Sequence, residues 1–307
     1  MIIKTKPKVL VIGGSYFLGR VFVMAFHEQF NITVFNRGRF SMSEYGVNAV
    51  HGDRRDERIL SSVTADFDAI VDFCAYQPED IKTILRGIGG TVKQYIFVST
   101  VDVYRRGTGT LKDESTPFET RKIAGEEGQY VAGKLDLEKE LVHECGNRGI
   151  AYTVFRPALI YGPFNYAPRE PVFIRMMVQK GFLPRIENAK GRFQFVYVRD
   201  VAQAIAVSIS NPAAFNQAYN LCNPQQVDYP LLADVLAAAA DTPVEIRRMT
   251  WEQAQEQGIP LPFAVQEQET ELYDSGKSMR ELGIVYTPLN AGMEKTYHAF
   301  YQVYRDN

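Results

Sequence analysis

Val9-Leu-Val-Ile-Gly13-Gly-Ser-Tyr-Phe-Leu-Gly19-Arg20 is the stretch that decides the fold of this chain. A short apolar β run, Lys8 to Ile12, ends in paired glycines. A segment with a helical apolar face, Arg20 to Glu28, follows. Strand, glycine turn and helix in that order are the context in which such a turn cradles a pyrophosphate. Gly13 permits the tight turn and Gly19 lets the helix pack closely on the strand. The helix N-terminus offers unpaired N–H groups and a positive dipole to an anion. The turn therefore predicts a bound dinucleotide, contacted along Gly13, Ser15, Tyr16, Phe17, Leu18 and Gly19. In a G-x-x-G-x-x-G spacing the middle glycine falls at Tyr16, whose side chain must swing aside. A glycine turn used only for packing is the alternative.

Working outward, strand-length apolar runs alternate with helix-like segments. Strands are expected at Ile32–Phe35, Asn48–His51, Ala69–Phe73, Gln94–Ser99 and Tyr152–Phe155, with a long helix over Glu126–Cys145. That alternation implies βαβ units and an α/β fold, a doubly wound parallel sheet of the Rossmann type. Right-handed crossovers then gather the strands' carboxyl ends along one edge, where ligands bind. Residues 1–157 form the dinucleotide-binding domain in this scheme. After Pro157 the rhythm changes, and 158–192 carry Pro, Gly and aromatic residues without a period. Phe193–Val198 looks like another strand and Asp200–Ser208 a helix, so the sheet is expected to take in 193–208. The tail from Gln226 is mostly helical, and 158–307 make a smaller C-terminal substrate lobe.

About twenty residues after the turn, an Asp or Glu would grip the ribose 2′-hydroxyl of NAD. The second strand instead ends in Asn36-Arg37-Gly38-Arg39. A guanidinium suits a 2′-phosphate, which favours NADP(H) over NAD. Alternatively Arg37 is solvated and the hydroxyl meets Asn36.

The bulk composition excludes several classes. The chain of 307 residues is 46% hydrophobic and 23% charged, with a net charge of -2. Basic pairs such as Arg54-Arg55 and Arg247-Arg248 are short, scattered and expected on solvated surface, so neither nucleic acid nor an acidic membrane is an expected partner. Cys74, Cys145 and Cys222 are odd in number and far apart, as in a reducing cytoplasm, and are expected to pack. No stretch has the length of a membrane span. The four histidines are dispersed without ligand spacing, so no metal is expected.

Tyr130-Val-Ala-Gly-Lys134 places a phenol and an ammonium on one helix face. A nearby cation favours phenolate, and such a tyrosine can pass a proton to or from a carbinol. The spacing recurs at Tyr273–Lys277, but around Asp274-Ser275-Gly276, which is poor helix material and lies outside the βαβ half. A third group should polarise the substrate oxygen. Ser99-Thr100 brings hydroxyls to the sheet's carboxyl edge, unless they serve only as local caps.

With these motifs the chain resembles an extended short-chain dehydrogenase/reductase of the NAD-dependent epimerase/dehydratase family. The likeness includes the glycine turn, His51-Gly-Asp53-Arg-Arg-Asp56, Ser99-Thr-Val-Asp-Val-Tyr104, Asp113-Glu-Ser-Thr-Pro117, Tyr130 with Lys134, and Arg156-Pro-Ala-Leu-Ile-Tyr-Gly-Pro163. Val196-Tyr-Val-Arg-Asp200 and Asp274 to Gly283 continue it. The resemblance implies an enzyme dependent on NAD(P), an epimerase or reductase acting on a carbinol or carbonyl of a nucleotide-sugar-like or polyhydroxylated substrate. It implies that Thr100 orients the substrate oxygen, with Ser99 as fallback, that Tyr130 is acid/base, and that Lys134 tunes it and holds the nicotinamide ribose. It places Asp53 at the adenine and Pro157, Ala158 and Leu159 beside the nicotinamide. Arg54, Cys74, Ala75, Tyr76 and Ser99 complete the predicted cofactor set. It also implies a homodimer, which the sequence itself does not show. Sugar 4,6-dehydratases carry an acid pair after the catalytic threonine, whereas Val101-Asp102 stands here, which disfavours that dehydration. The competing expectation is a cofactor-sensing or RNA-binding module without catalysis.

Overall fold

The computed structural model describes residues 5–107 and 109–306. Its first half runs β1 (Lys8–Ile12), α1 (Phe17–Phe26), β2 (Asn31–Asn36), β3 (Asn48–His51), α2 (Glu57–Ser61), β4 (Ala69–Asp72), α3 (Asp80–Gly87), β5 (Gln94–Val98), α4 (Gly125–Arg148) and β6 (Ala151–Pro157). The second half runs β7 (Leu159–Tyr161), α5 (Glu170–Arg175), β8 (Phe182–Ile186), β9 (Phe195–Tyr197), α6 (Val198–Ser208), β10 (Gln217–Leu221), α7 (Tyr229–Ala238), β11 (Glu245–Met249), α8 (Trp251–Glu256), α9 (Gly276–Leu282) and α10 (Leu289–Arg305).

Seven strands form one parallel sheet in the order β10-β6-β5-β4-β1-β2-β3. Strands β4 and β5 are buried along their whole length, which is why they read as continuous apolar runs rather than alternating ones. The two faces of β1 feed separate cores. Val9 and Val11 pack with α1 and α6, while Leu10 and Ile12 pack with Leu60, Ile81, Ile84, Leu137 and Leu141 of α2, α3 and α4. Helix α4 carries Val131, Lys134, Leu135, Glu138, Leu141 and Cys145 buried at helical spacing, and stops at Gly149 in the left-handed region (φ 66°).

The segment 193–208 does not extend the sheet as expected. Strand β9 pairs with β7 in a separate two-stranded ribbon, and α6 packs against α1 on the sheet face. The seventh strand is β10, whose Gln217–Leu221 register against Thr153–Pro157. The C-terminal lobe also holds a parallel pair, β8 with β11; β11 falls in the tail expected to be mostly helical and β8 in the stretch without a period. Its core is aromatic: the Phe193 and Phe263 rings stack with centroids 4.5 Å apart, flanked by Phe173, Phe195 and Tyr229. That core is continuous with the α1/α6 face of the sheet, which anchors the lobe on that side.

Candidate active site

The strand order reverses between β1 and β4, and the crevice outside that point is where a doubly wound sheet binds its ligand. A cavity of about 1600 Å³ opens there, walled by the ends of β1, β2, β4, β5 and β6 and by the C-terminal lobe.

The glycine turn forms its floor at one end. Gly13 has φ 105° and donates its N–H to Phe35 O at 2.9 Å. Gly14, which the sequence reading passed over, has φ 77°, and a side chain there would meet Val11 Cγ1 at 2.9 Å. A side chain at Gly19 would lie 2.8 Å from Gly14 N and 2.9 Å from Gly14 Cα, so this glycine is what lets α1 sit on the turn. Tyr16 is the N-cap, with extended backbone (φ -125°, ψ 146°) that needs no glycine. Its ring leaves the turn and packs edge-on against Phe40, centroids 4.9 Å apart. No side chain caps α1 and its first turn has no carboxylate, so its N–H groups face the cavity uncommitted. This cradle, closed to any Cβ at Gly14 and Gly19, fits a dinucleotide pyrophosphate.

At the end of β2, Asn36 Oδ1 accepts the Gly38 N–H at 2.8 Å and lies 3.1 Å from His51 Nδ1, holding the loop. Arg37 and Arg39 are exposed on the cavity wall. Asp53 also lines the cavity and accepts the Arg55 N–H. Arg54, expected first as solvated and then as a cofactor contact, reaches the wall but is committed elsewhere. Its Nη2 and Nη1 lie 2.6 and 3.1 Å from the Asp72 carboxylate, and Nη2 also bonds Asp80 O. Asp72 is fully buried and further accepts the Tyr95 hydroxyl and the Cys74 N–H. Burial alone would raise its pKa, but the Arg54 charge and these bonds hold its carboxyl below the usual carboxylate range. Cys74 and Tyr76 are on the wall. Ala75 is not: it is fully buried, and its carbonyl accepts from Lys134 instead.

The catalytic candidates meet at the far end. Lys134 Nζ donates to Ala75 O at 3.0 Å and Val98 O at 2.9 Å and lies over the Tyr76 ring. Burial pushes this ammonium down to about 8, an effect partly offset by the Asp72 carboxylate. The Tyr130 ring centroid lies 5.9 Å from Lys134 Nζ. The expected lowering of this phenol by Lys134 is not what governs it. Tyr130 is 41% exposed, on the open cavity, but the protein packed around it, and then the Asp102 charge, push its phenol up to about 12, while Thr100 and Arg169 act in the opposite sense. The physical reason is that the loss of solvent penalises a charged phenolate more than the ammonium 5.9 Å from its ring favours one. Thr100 Oγ1 donates to Asp102 Oδ2 at 2.8 Å, whereas the buried Ser99 Oγ has no partner among the described residues. Pro157, Ala158 and Leu159 line the cavity opposite.

Behind Tyr130 and Lys134, α4 is clamped to β6. Arg156 Nη2 and Nε bond the Glu138 carboxylate at 2.6 and 3.0 Å, and Arg156 Nη1 bonds the Tyr104 hydroxyl. Asp102, Asn165 and Arg169 line the same cavity, and the sequence reading assigned none of them to the site. Only the position of Asp102 beside Thr100 could have signalled one of them. The second tyrosine–lysine spacing comes apart: Tyr273 reaches the cavity, but Lys277 is spent on Gln217 and Ala218 of β10. Among the described residues no cluster of His, Cys, Asp and Glu could hold a metal, the three cysteines are free, and no helix is long and apolar enough to cross a membrane.

Residues 9–222 match the sequence profile of the NAD dependent epimerase/dehydratase family. The chloroplast stem-loop binding protein of 41 kDa b from Arabidopsis thaliana is 27% identical over 78% of this chain and 65% of its own length. The UDP-glucose 4-epimerase of Vibrio cholerae is 28% identical over 58% of this chain and 49% of its own length. This chain thus spans about half to two thirds of those relatives. An NAD(P)H azoreductase from Xenophilus azovorans is 24% identical over 86% of both chains. Among solved structures, a UDP-N-acetylglucosamine 4-epimerase from Methanobrevibacter ruminantium superposes with a TM-score of 0.76 at 16% identity, covering 98% of this chain and 100% of that one. The Bordetella bronchiseptica enzyme WbmH, solved with NAD+, gives 0.71 at 17% identity, covering 96% and 98%.

Proposed function

This chain belongs to the NAD dependent epimerase/dehydratase family, and from that premise we propose that it is an NADP(H)-preferring oxidoreductase or epimerase acting on a carbinol or carbonyl of a nucleotide-sugar-like or polyhydroxylated substrate. The observation that carries the reading is convergence. Tyr130, Lys134, Ser99 and Thr100 arrive from β5 and α4 on the same cavity whose other end is the glycine cradle.

In this reading the turn and the first N–H groups of α1 hold the pyrophosphate. Arg37, with Arg39 beside it, faces the ribose 2′-position, where a carboxylate would have repelled a phosphate. When bound, the nicotinamide supplies or takes the hydride. The chain's own residues do the rest. Tyr130 gives a proton to the substrate oxygen or takes one from it. Ser99, whose proton is free to donate, holds that oxygen, while Thr100 beside it spends its own proton on Asp102. Lys134 braces the ends of β4 and β5 through its two carbonyl contacts and keeps a positive charge near the phenol.

A second reading, a cofactor-sensing or RNA-binding module without catalysis, is favoured by the stem-loop binding relative from Arabidopsis. The Tyr130/Lys134 pair on the cavity weighs against it. Mass spectrometry of small molecules released from the purified protein, then titration with NADPH and NADH, separates the cases. Reversible, tighter NADPH binding is expected. Tightly retained NAD would support epimerisation and overturn the NADP(H) preference. Tyr130→Phe should abolish turnover while leaving nucleotide binding intact; unchanged function in cells would favour the binding module.

A further inference from the structure

The loop after β2 carries Arg37 and Arg39, and polar contacts hold it only at its two ends. Residues 37–41 are all exposed. At the root, Asn36 Oδ1 accepts the Gly38 N–H at 2.8 Å, and Gly38 turns the chain with φ 74°. At the far end, Met42 is buried and the Ser41 hydroxyl accepts the Ser43 N–H at 3.2 Å. Among the described residues, Arg37, Arg39 and Phe40 make no hydrogen bond and no ion pair. What meets the tip is aromatic. The Phe40 ring lies against Tyr16 with centroids 4.9 Å apart and planes at 87°. That is the edge-to-face arrangement, in which the positive edge of one ring meets the negative face of the other.

Tyr16 joins two parts of the nucleotide site. Its backbone is the N-cap of α1 and belongs to the glycine turn, while its side chain leaves the turn for the arginine loop. Tyr16, Arg37 and Arg39 line the same cavity. Tyr16 is 49% exposed and Phe40 46%, so neither ring fills a core. We propose that Tyr16 and Phe40 are specificity-determining residues: as a pair they hold the loop of Arg37 and Arg39 where a guanidinium meets a ribose 2′-phosphate. Discrimination between NADPH and NADH then depends on two rings that carry no charge. The inference rests on the reading of Arg37 as the 2′-phosphate contact.

The size of the effect follows from the pair. An edge-to-face contact shifts the population of the conformation that makes it by a factor of about two to ten. A ligand that binds only that conformation loses the same factor in apparent affinity when the contact is removed. A ligand indifferent to the loop loses nothing. NADPH presents a 2′-phosphate to the guanidinium, and NADH presents a hydroxyl with no charge to pair. Without the ring contact Arg37 keeps its charge but spends less time where the phosphate would be. Tyr16 thus does two things at one position. Its extended backbone, φ -125°, leaves the turn open for a pyrophosphate without a glycine, and its ring braces the loop that reads the ribose.

Fluorescence titration of the full chain with NADPH and with NADH tests this. Phe40→Ala should weaken NADPH binding about two- to tenfold and leave NADH unchanged. Intact NADH binding also reports that the cradle is still folded. Tyr16→Ala is read as the ratio of the two affinities, because Tyr16 also belongs to the turn. That ratio should fall as far as in Phe40→Ala, and no further when both rings are removed. Tyr16→Phe keeps the pair and should keep the ratio. In a chain already carrying Arg37→Ala and Arg39→Ala, Phe40→Ala should change neither affinity. A wild-type ratio that survives Phe40→Ala overturns the proposal, as does an effect of Phe40→Ala that persists without the arginines. A loss shared equally by NADH also overturns it, and would put the ring on the adenosine that both nucleotides carry. A wild type that binds both nucleotides equally overturns the NADP(H) preference itself and the proposal with it, so the two failures are told apart by the wild-type titration.

Discussion

Among the described residues Lys134 has no carboxylate partner, and its burial has a measurable cost. The residue is 3% exposed, and two carbonyl oxygens and the faces of Tyr76 and Phe97 are the immediate company of its ammonium. An ammonium pushed by burial from 10.5 down to about 8 costs the fold about 3 kcal/mol of stability while it stays charged. The sign follows from proton counts. Below about pH 8 the lysine is charged in both states and the whole penalty applies. As pH rises from there, the folded state releases its proton first, so the unfolded chain binds more protons and stability rises. Above the ordinary lysine value both states are neutral and the gain ends. Lys134→Met has no such charge. Urea unfolding of both proteins without cofactor between pH 7 and pH 10.5 should show the wild type gaining about 3 kcal/mol on the variant, whatever the offset from repacking. Parallel stability–pH curves would refute the reasoning, because they would mean that Lys134 is hydrated in the fold.

Three further perturbations follow from the same geometry. Asp72→Ala leaves the Arg54 guanidinium, the Tyr95 hydroxyl and the Cys74 N–H without their acceptor; the loss should be about 3–5 kcal/mol near neutral pH by chemical denaturation. Because the Asp72 carboxyl is held low, that advantage is full above the ordinary carboxylate pKa and is lost as pH falls through its lowered value, so the two proteins should converge only in acid. Gly19→Ala puts a methyl against the Gly14 backbone, costing about 1–3 kcal/mol, and should weaken NADPH binding about tenfold or more by fluorescence titration; unchanged binding would place the pyrophosphate elsewhere. Arg37→Ala should cost NADPH about tenfold in affinity, the worth of one charge-assisted hydrogen bond, with NADH unaffected; an equal loss for both nucleotides would remove Arg37 from the 2′-phosphate.

Much of the fold was legible because its signals are local. The run Val9–Ile12 reads as a strand since it is buried on both faces, and the glycines after it report a turn that only they can make. The pair β8 and β11 was not legible. Phe182–Ile186 contains a proline, Glu245–Met249 is mostly exposed, and their pairing joins segments far apart in the chain. Strand β10 was missed for a similar reason, since Gln217 and Ala218 are only half-buried and Asn220 is a buried amide tied to Tyr104.

For the site the division is the same. The sequence by itself determined the order and spacing of its parts: the glycine turn, the arginine after β2, the hydroxyls after β5, and a tyrosine and lysine one helical turn apart. These depend on backbone periodicity and residue type, which a linear pattern carries. Only the tertiary structure decided how each polar group is spent. It committed Arg54 to Asp72, turned Lys134 toward Ala75 and Val98, left Ser99 without a partner and gave the Thr100 proton to Asp102. Hydrogen bonds and ion pairs are short-range and directional, so the partner of a side chain is set by where the packed elements place it, and no spacing along the chain encodes that.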